Sequence, residues 1–209
     1  MIFSILMPSE FAYTLIREWF SPPTQPGAPE LASLLPHQRQ LLLSDGSLTL
    51  EIQLLWKAMV EVEVRFNGLT TLGSKESIFL EETPDKGAIE REVWLTIDSR
   101  RLVYAHSLIP VDRIDKELLR DIDAHRDEPL GRVLTTKNVR FSKKKIELGV
   151  VRCEAASIGL GLDRHAALIA RRYILHNTDG VVGHGIKAAV TEVFSPEIIE
   201  GDALSKKNI

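Results

Sequence analysis

Thiol chemistry is nearly absent: Cys153 is the single cysteine in 209 residues. That excludes an internal disulfide and a multi-thiolate metal site, and it fits a reducing compartment, so a cytoplasmic location is expected. No histidine stands near Cys153 in sequence, and it reads as a passive small residue rather than a nucleophile. Long hydrophobic runs are lacking too. The opening MIFSILMPSEF is apolar but has neither the positive n-region nor the cleavage site of a signal peptide. Its uncharged stretch is too short to span a bilayer. Positive charge is not in excess either, with 26 Lys and Arg against 29 Asp and Glu and a net charge of −3. Nothing in that balance points to nucleic acid or an anionic membrane as a partner. An anionic ligand would have to be held by a few placed cations. His37, His106, His125, His165, His176 and His184 form no pair at metal-ligand spacing, so no metal site is expected. Gly180 to Gly185 (GVVGHG) follows a turn and leads into a strand, which is the wrong context for a dinucleotide loop.

What is present is ordinary globular composition, 44% apolar and 26% charged, enough for one well-buried core. Ser9 to Phe20 places Phe11, Leu15, Ile16 and Trp19 at helical spacing after a capping serine, which predicts an amphipathic helix. A proline-rich linker, Ser21 to Pro29, follows it. Residues 1–29 therefore read as a helix and linker, 30–200 as the domain, and 201–209 as a polar tail. Within the domain, Glu30 to Leu43 predicts two short helices divided by Pro36, ending at the turn signal Ser44-Asp45-Gly46. Val60, Val62, Val64 and Phe66 then alternate with charges as a half-wet strand, closed by the turn dipeptide Asn67-Gly68. A second turn signal spans Thr83 to Gly87. Ala88–Ile97 and Leu102–Ile109 pair as a hairpin about Asp98 to Arg101. Asp115 to Ala124 is a helix, Asp127 to Arg132 a turn into a short element, and Ser142 to Lys145 a solvated charge run. Leu168–His176 and Ala188–Phe194 complete the sheet across a turn at Asn177 to Gly180. No internal repeat is seen. The fold class expected is α+β, a single antiparallel sheet with helices on one side.

Two strands carry a charge on an apolar face. Side chains two apart on a strand share a face, so Arg91 lies with Ile89, Val93 and Leu95. By the same rule Glu192 lies with Ala188, Val190 and Phe194. Buried charges need partners. Arg91 and Glu192 either pair with each other, or the arginine forks onto a ligand carboxylate while the glutamate takes a hydrogen bond from a hydroxyl. Periodicity leaves both open. One of Arg171 and Arg172 must also point inward, because neighbours on a strand face opposite ways.

Six segments in order carry a resemblance: Leu41 to Thr49 (LLLSDGSLT), Arg91 to Leu95 (REVWL), Ser107 to Pro110 (SLIP), Glu128 to Arg132 (EPLGR), Ala170 to Tyr173 (ARRY), and Val190 to Pro196 (VTEVFSP). Together they resemble the chorismate pyruvate-lyase (4-hydroxybenzoate synthase) family. The resemblance implies an about six-stranded, chorismate lyase-like sheet with the ligand enclosed beneath helical flaps. It implies elimination of pyruvate from chorismate to give 4-hydroxybenzoate, without metal or organic cofactor, by a monomer or weak oligomer. By position, Arg91 would bind the ring carboxylate and Glu192 would hydrogen-bond the oxygen end of the ring; both form the catalytic pair. Backbone groups at Leu48 and Leu130 would complete the contacts, with Arg172 and His106 in the binding set. His106 stands where some family members have arginine, so an anion contact there would be weaker or pH-dependent. The same fold also serves as the UTRA effector domain of bacterial transcription regulators, which makes a non-catalytic phenolic-acid-binding module the alternative. Such domains normally follow a winged-helix DNA reader, for which the forty or so residues ahead of the matched region leave no room.

Overall fold

Alternation of apolar and polar residues builds most of this chain into strands. In the computed structural model, which describes residues 9–22, 31–177, 185–200 and 204, seven strands form one sheet. The elements in chain order are β1 (Thr14–Phe20), α1 (Pro36–Leu43), α2 (Leu48–Trp56), β2 (Glu61–Thr71) and α3 (Ser74–Leu80). They continue with β3 (Gly87–Ile97), β4 (Arg100–Pro110), α4 (Lys116–Ala124), α5 (Leu130–Thr136), β5 (Phe141–Arg152), α6 (Glu154–Gly159), β6 (Leu168–Asn177) and β7 (Lys187–Phe194). The strand order is β1-β5-β6-β7-β4-β3-β2, and every neighbouring pair is antiparallel. The β3–β4 hairpin turns at Asp98 and Ser99, with φ of 49° and 64°. Two consecutive positive values are what a two-residue loop needs to match the right-handed twist of its strands.

The α+β class and the single antiparallel sheet agree with expectation. The helices, however, are divided between the two faces. On one face α1 and α2 lay Leu41, Leu42 and Ile52 onto Val93, Leu95, Ile169 and Phe194. Beside them α4 and α5 lay Leu118, Ile122 and Leu134 onto Ile109, Tyr173 and Leu175. The short α6 packs Ala156 on the other face, with Trp94, Tyr104 and Val193. Leu80 of α3 also packs there, against Leu108 and Ile174. Each fully buried aliphatic side chain in these clusters contributes about 1.5–3 kcal/mol.

Two local expectations are corrected. The predicted helix of Ser9–Phe20 is strand β1, and it supplies a strand beyond the six expected. Leu15, Arg17 and Trp19 are half-buried, while Thr14, Ile16 and Glu18 are exposed. Apolar residues that also fit a helical period are recruited by the open edge of β5. Gly149 of β5 allows this docking, because a Cβ there would come within 2.9 Å of the Trp19 ring. Asn67-Gly68 is not a turn. It continues β2, with Gly68 opposite Glu90, and the Phe66 ring covers the bare glycine. Helices α2 and α3 were not anticipated. Most of the proline linker, the turn after Asn177 and all but Leu204 of the tail lie outside the described residues.

Candidate functional site

The floor of the candidate site is the central sheet. Arg91 on β3 and Glu192 on β7 are both buried on the face their periodicity indicates. Strand β4 runs between them, pairing Ser107 with Arg91 and Ala105 with Glu192. Two small side chains between two long ones leave a hollow. Gly46 to Thr49 at the start of α2 and Pro129 to Gly131 at the start of α5 roof it, and Phe141, Lys143 and Tyr173 close the far end. The cavity volume is about 70 Å³, room for several waters.

The charges in this hollow are unevenly paired. Arg91 Nη2 donates to the carbonyls of Arg126 (2.8 Å) and Glu128 (2.6 Å), which fixes the segment leading into α5. Its Nε is buried with no hydrogen-bond partner, and no carboxylate of the described residues forms an ion pair with it. Burial lowers its pKa to about 10, against the opposing charge of Asp127, so it remains a cation at neutral pH. Arg171 is fully buried. It donates through Nε to Glu192 Oε2 and through Nη1 to the Leu41 carbonyl, while its Nη2 has no partner. The Tyr173 hydroxyl donates to Glu192 Oε1 at 3.0 Å. Burial and the Glu192 charge hold that phenol well above its usual pKa, so it is neutral. Glu192 is therefore clamped by Arg171 and Tyr173, and Arg91 and Glu192 do not pair with each other.

Two members of the expected binding set do not reach the hollow. Arg172 points from the opposite face, where it pairs with Glu147 at 2.6 Å and lies over the rings of Phe79 and Trp19 at 4.3 and 4.7 Å. Its neighbour Arg171 is the inward arginine. His106 also faces outward. Its Nε2 is 2.8 Å from Glu90 Oε1, and its ring stacks on Phe11 with centroids 4.1 Å apart. Strand alternation gives the inward place on β4 to Ser107 instead. Leu48 and Leu130 do border the hollow. They are the first residues of α2 and α5, where backbone N–H groups have no intrahelical acceptor. On the outward face Glu90, Glu92 and His106 form a grouping whose ligand-type atoms lie within 4.8 Å of one another, which spacing along the chain did not indicate. Its oxygens are already engaged: Ser9 Oγ donates toward both carboxylates, the Phe11 N–H bonds Glu92 at 3.0 Å, and Tyr104 donates to Glu92 at 2.5 Å.

Lys143 was missed. The sequence places it in a solvated charge run, but strand alternation sends it inward and Lys144 outward, while a break in register at Lys145, with φ of 51°, leaves that lysine exposed as well. Its ammonium lies 4.8 Å from the Tyr173 ring centroid. Burial, reinforced by the Arg171 charge, lowers its pKa to about 8. The period-2 pattern around Phe141, Tyr173 and Leu175 is the signal that would have found it.

These features define a class: an antiparallel α+β sheet that holds a small, cation-lined hollow beneath two helix starts. The family model described as "Chorismate pyruvate-lyase Rv2949c-like" matches residues 42–201, and the chain belongs to that family. Among solved structures, PhnF from Mycobacterium smegmatis is similar at 15% identity and a TM-score of 0.54, covering 73% of this chain and 65% of that one. A ligand-binding domain of a putative GntR-family transcriptional regulator from Bordetella bronchiseptica is similar at 12% identity and TM-score 0.53, covering 65% and 85%. A putative transcriptional regulator from Streptomyces coelicolor follows at 14% and 0.51, covering 67% and 89%. At such identities these likenesses speak to the fold alone. No curated protein matches the chain. Among the described residues, no helix is long and apolar enough to cross a membrane.

Proposed function

We propose that the chain is a chorismate pyruvate-lyase, forming 4-hydroxybenzoate for the head group of a quinone or phenolic lipid. The observation that carries this reading is Arg91, a buried guanidinium with an unpartnered Nε beside a hollow. An unpaired buried donor is costly, and a ligand carboxylate relieves that cost through charge-assisted hydrogen bonds. In this reading Arg91 takes the ring carboxylate, with Glu192 at the ring's oxygen end. The backbone N–H groups at Leu48 and Leu130 complete the contacts. In the reaction the C4–H and C3–O bonds of chorismate break and the ring becomes aromatic. The C4 hydrogen passes to the methylene carbon of the enolpyruvyl group, the C4–H electron pair completes the aromatic ring, and the C3–O pair becomes the carbonyl of the departing pyruvate. Aromatisation supplies the driving force, so the protein mainly holds a reactive conformer and stabilises charge shifting to the ether oxygen. Glu192 is held by two donors, and its role is positioning rather than proton abstraction. The proposed reaction uses no metal or organic cofactor, and the protein acts in the cytoplasm as a monomer or weak oligomer.

The test is purified protein with chorismate and a chelator, following both products. Equal amounts of 4-hydroxybenzoate and pyruvate are expected. Pyruvate with 3-hydroxybenzoate would overturn the product assignment. A second reading, a module that binds a phenolic acid without turning chorismate over, draws support from the occupied oxygens of Glu192. Tight 4-hydroxybenzoate binding without turnover would decide for it.

A further inference from the structure

The hollow holds more positive charge than one carboxylate requires. Arg91, Arg171 and Lys143 line or border it, and Glu192 is the one carboxylate among its lining residues. Arg171 is neutralised by Glu192, while Arg91 and Lys143 remain as cations on opposite walls. In the strand order β5-β6-β7-β4-β3, four steps of about 4.8 Å separate their backbones by roughly 19 Å, and both side chains reach inward. The Lys143 ammonium can donate three hydrogen bonds. It makes one to protein, at 3.4 Å to the Ser44 carbonyl, and it forms no ion pair among the described residues. A half-buried ammonium over an aromatic face, with donors to spare, is matched by a second anionic group on the ligand.

We infer that Lys143 is the second anion-binding residue of this pocket. The preferred ligand is then a dicarboxylate, with one carboxylate on Arg91 and an ether-linked carboxylate on Lys143. This rests on the proposed function, in which the substrate carries both groups and the aromatic product retains only the first. Lys143 then separates substrate from product, because it grips a group that departs with pyruvate. The aromatic acid, once formed, is held through its carboxylate by Arg91 alone.

The experiment is calorimetric titration of the full chain with two probes that need no turnover. One is 4-hydroxybenzoate, and the other is 3-(carboxymethoxy)-4-hydroxybenzoate, which adds an ether-linked carboxylate at the ring position where chorismate carries its own. Lys143→Met is expected to weaken the dicarboxylate by about 10-fold or more, the size of a charged hydrogen bond. It should move 4-hydroxybenzoate by less than about threefold, and Lys143→Arg should restore most of the difference. Thermal melts would confirm that both variants fold. Equal weakening of both probes, or no change in either, overturns the assignment while leaving the pocket intact. Failure of the unaltered protein to bind either probe overturns the proposed function as well.

Discussion

The two faces of the central strands treat buried charge in opposite ways. On the outward face Glu90 and Glu92 are supplied with donors from Ser9, Phe11, Tyr104 and His106, and Arg172 is paired with Glu147. On the inward face a complete pair, Arg171–Glu192, stands beside Arg91, whose Nε lacks a partner, and Lys143, which has one long bond. Burial of charge therefore does not by itself mark a site. The mark is a buried donor whose acceptor the protein does not provide, next to space that an acceptor can enter.

The largest difference should appear in stability. Arg171→Met leaves Glu192 buried without its cation and should cost about 3–5 kcal/mol in urea unfolding. Arg172→Met, at a half-buried pair on the other face, should cost about 1 kcal/mol or less. Equal costs would erase the contrast. Next, Glu92→Gln weakens the acceptor of Ser9, Phe11 and Tyr104 and should cost about 1–3 kcal/mol, with chorismate turnover unchanged in a steady-state assay. Ser107→Leu fills the hollow without altering any charge. Ligand affinity should fall at least about tenfold, alongside an overpacking cost of about 1–3 kcal/mol visible in the melt.

The smallest effect concerns pH. Lys143 faces Arg171, Glu192 and Tyr173 in the sheet, with Glu51 and Asp45 acting from the α1–α2 side. Its pKa in the fold is about 8, below the ordinary 10.5, so the unfolded chain binds more protons between those values. The Lys143 contribution to stability then rises with pH across that window, whereas dicarboxylate affinity falls as pH passes about 8. Titrations at two pH values on either side should show this, and Lys143→Met should remove both trends.

Strand alternation made the inward faces of β3 and β7 legible in the sequence, and with them Arg91 and Glu192. The same rule identified one inward arginine of the Arg171-Arg172 pair but could not choose between them. The choice follows from the β6 register against β7, where Arg171 meets Glu192, and register is a property of the assembled sheet. His106 and Ser107 present the same ambiguity on β4. Strand β1 was illegible because seven residues with apolar groups at helical spacing fit both periods, and the open β5 edge decided. Lys143 was hidden by its neighbours, since three consecutive lysines look solvated until a strand turns one of them inward.

The most direct measurement is calorimetric titration of 4-hydroxybenzoate into the unaltered protein, Arg91→Met and Glu92→Gln. If the unpaired donor defines the site, binding is lost in Arg91→Met and stays within about twofold of the unaltered protein in Glu92→Gln, while both variants still melt cooperatively. Unchanged binding in a folded Arg91→Met, or loss of binding in a folded Glu92→Gln, would contradict it.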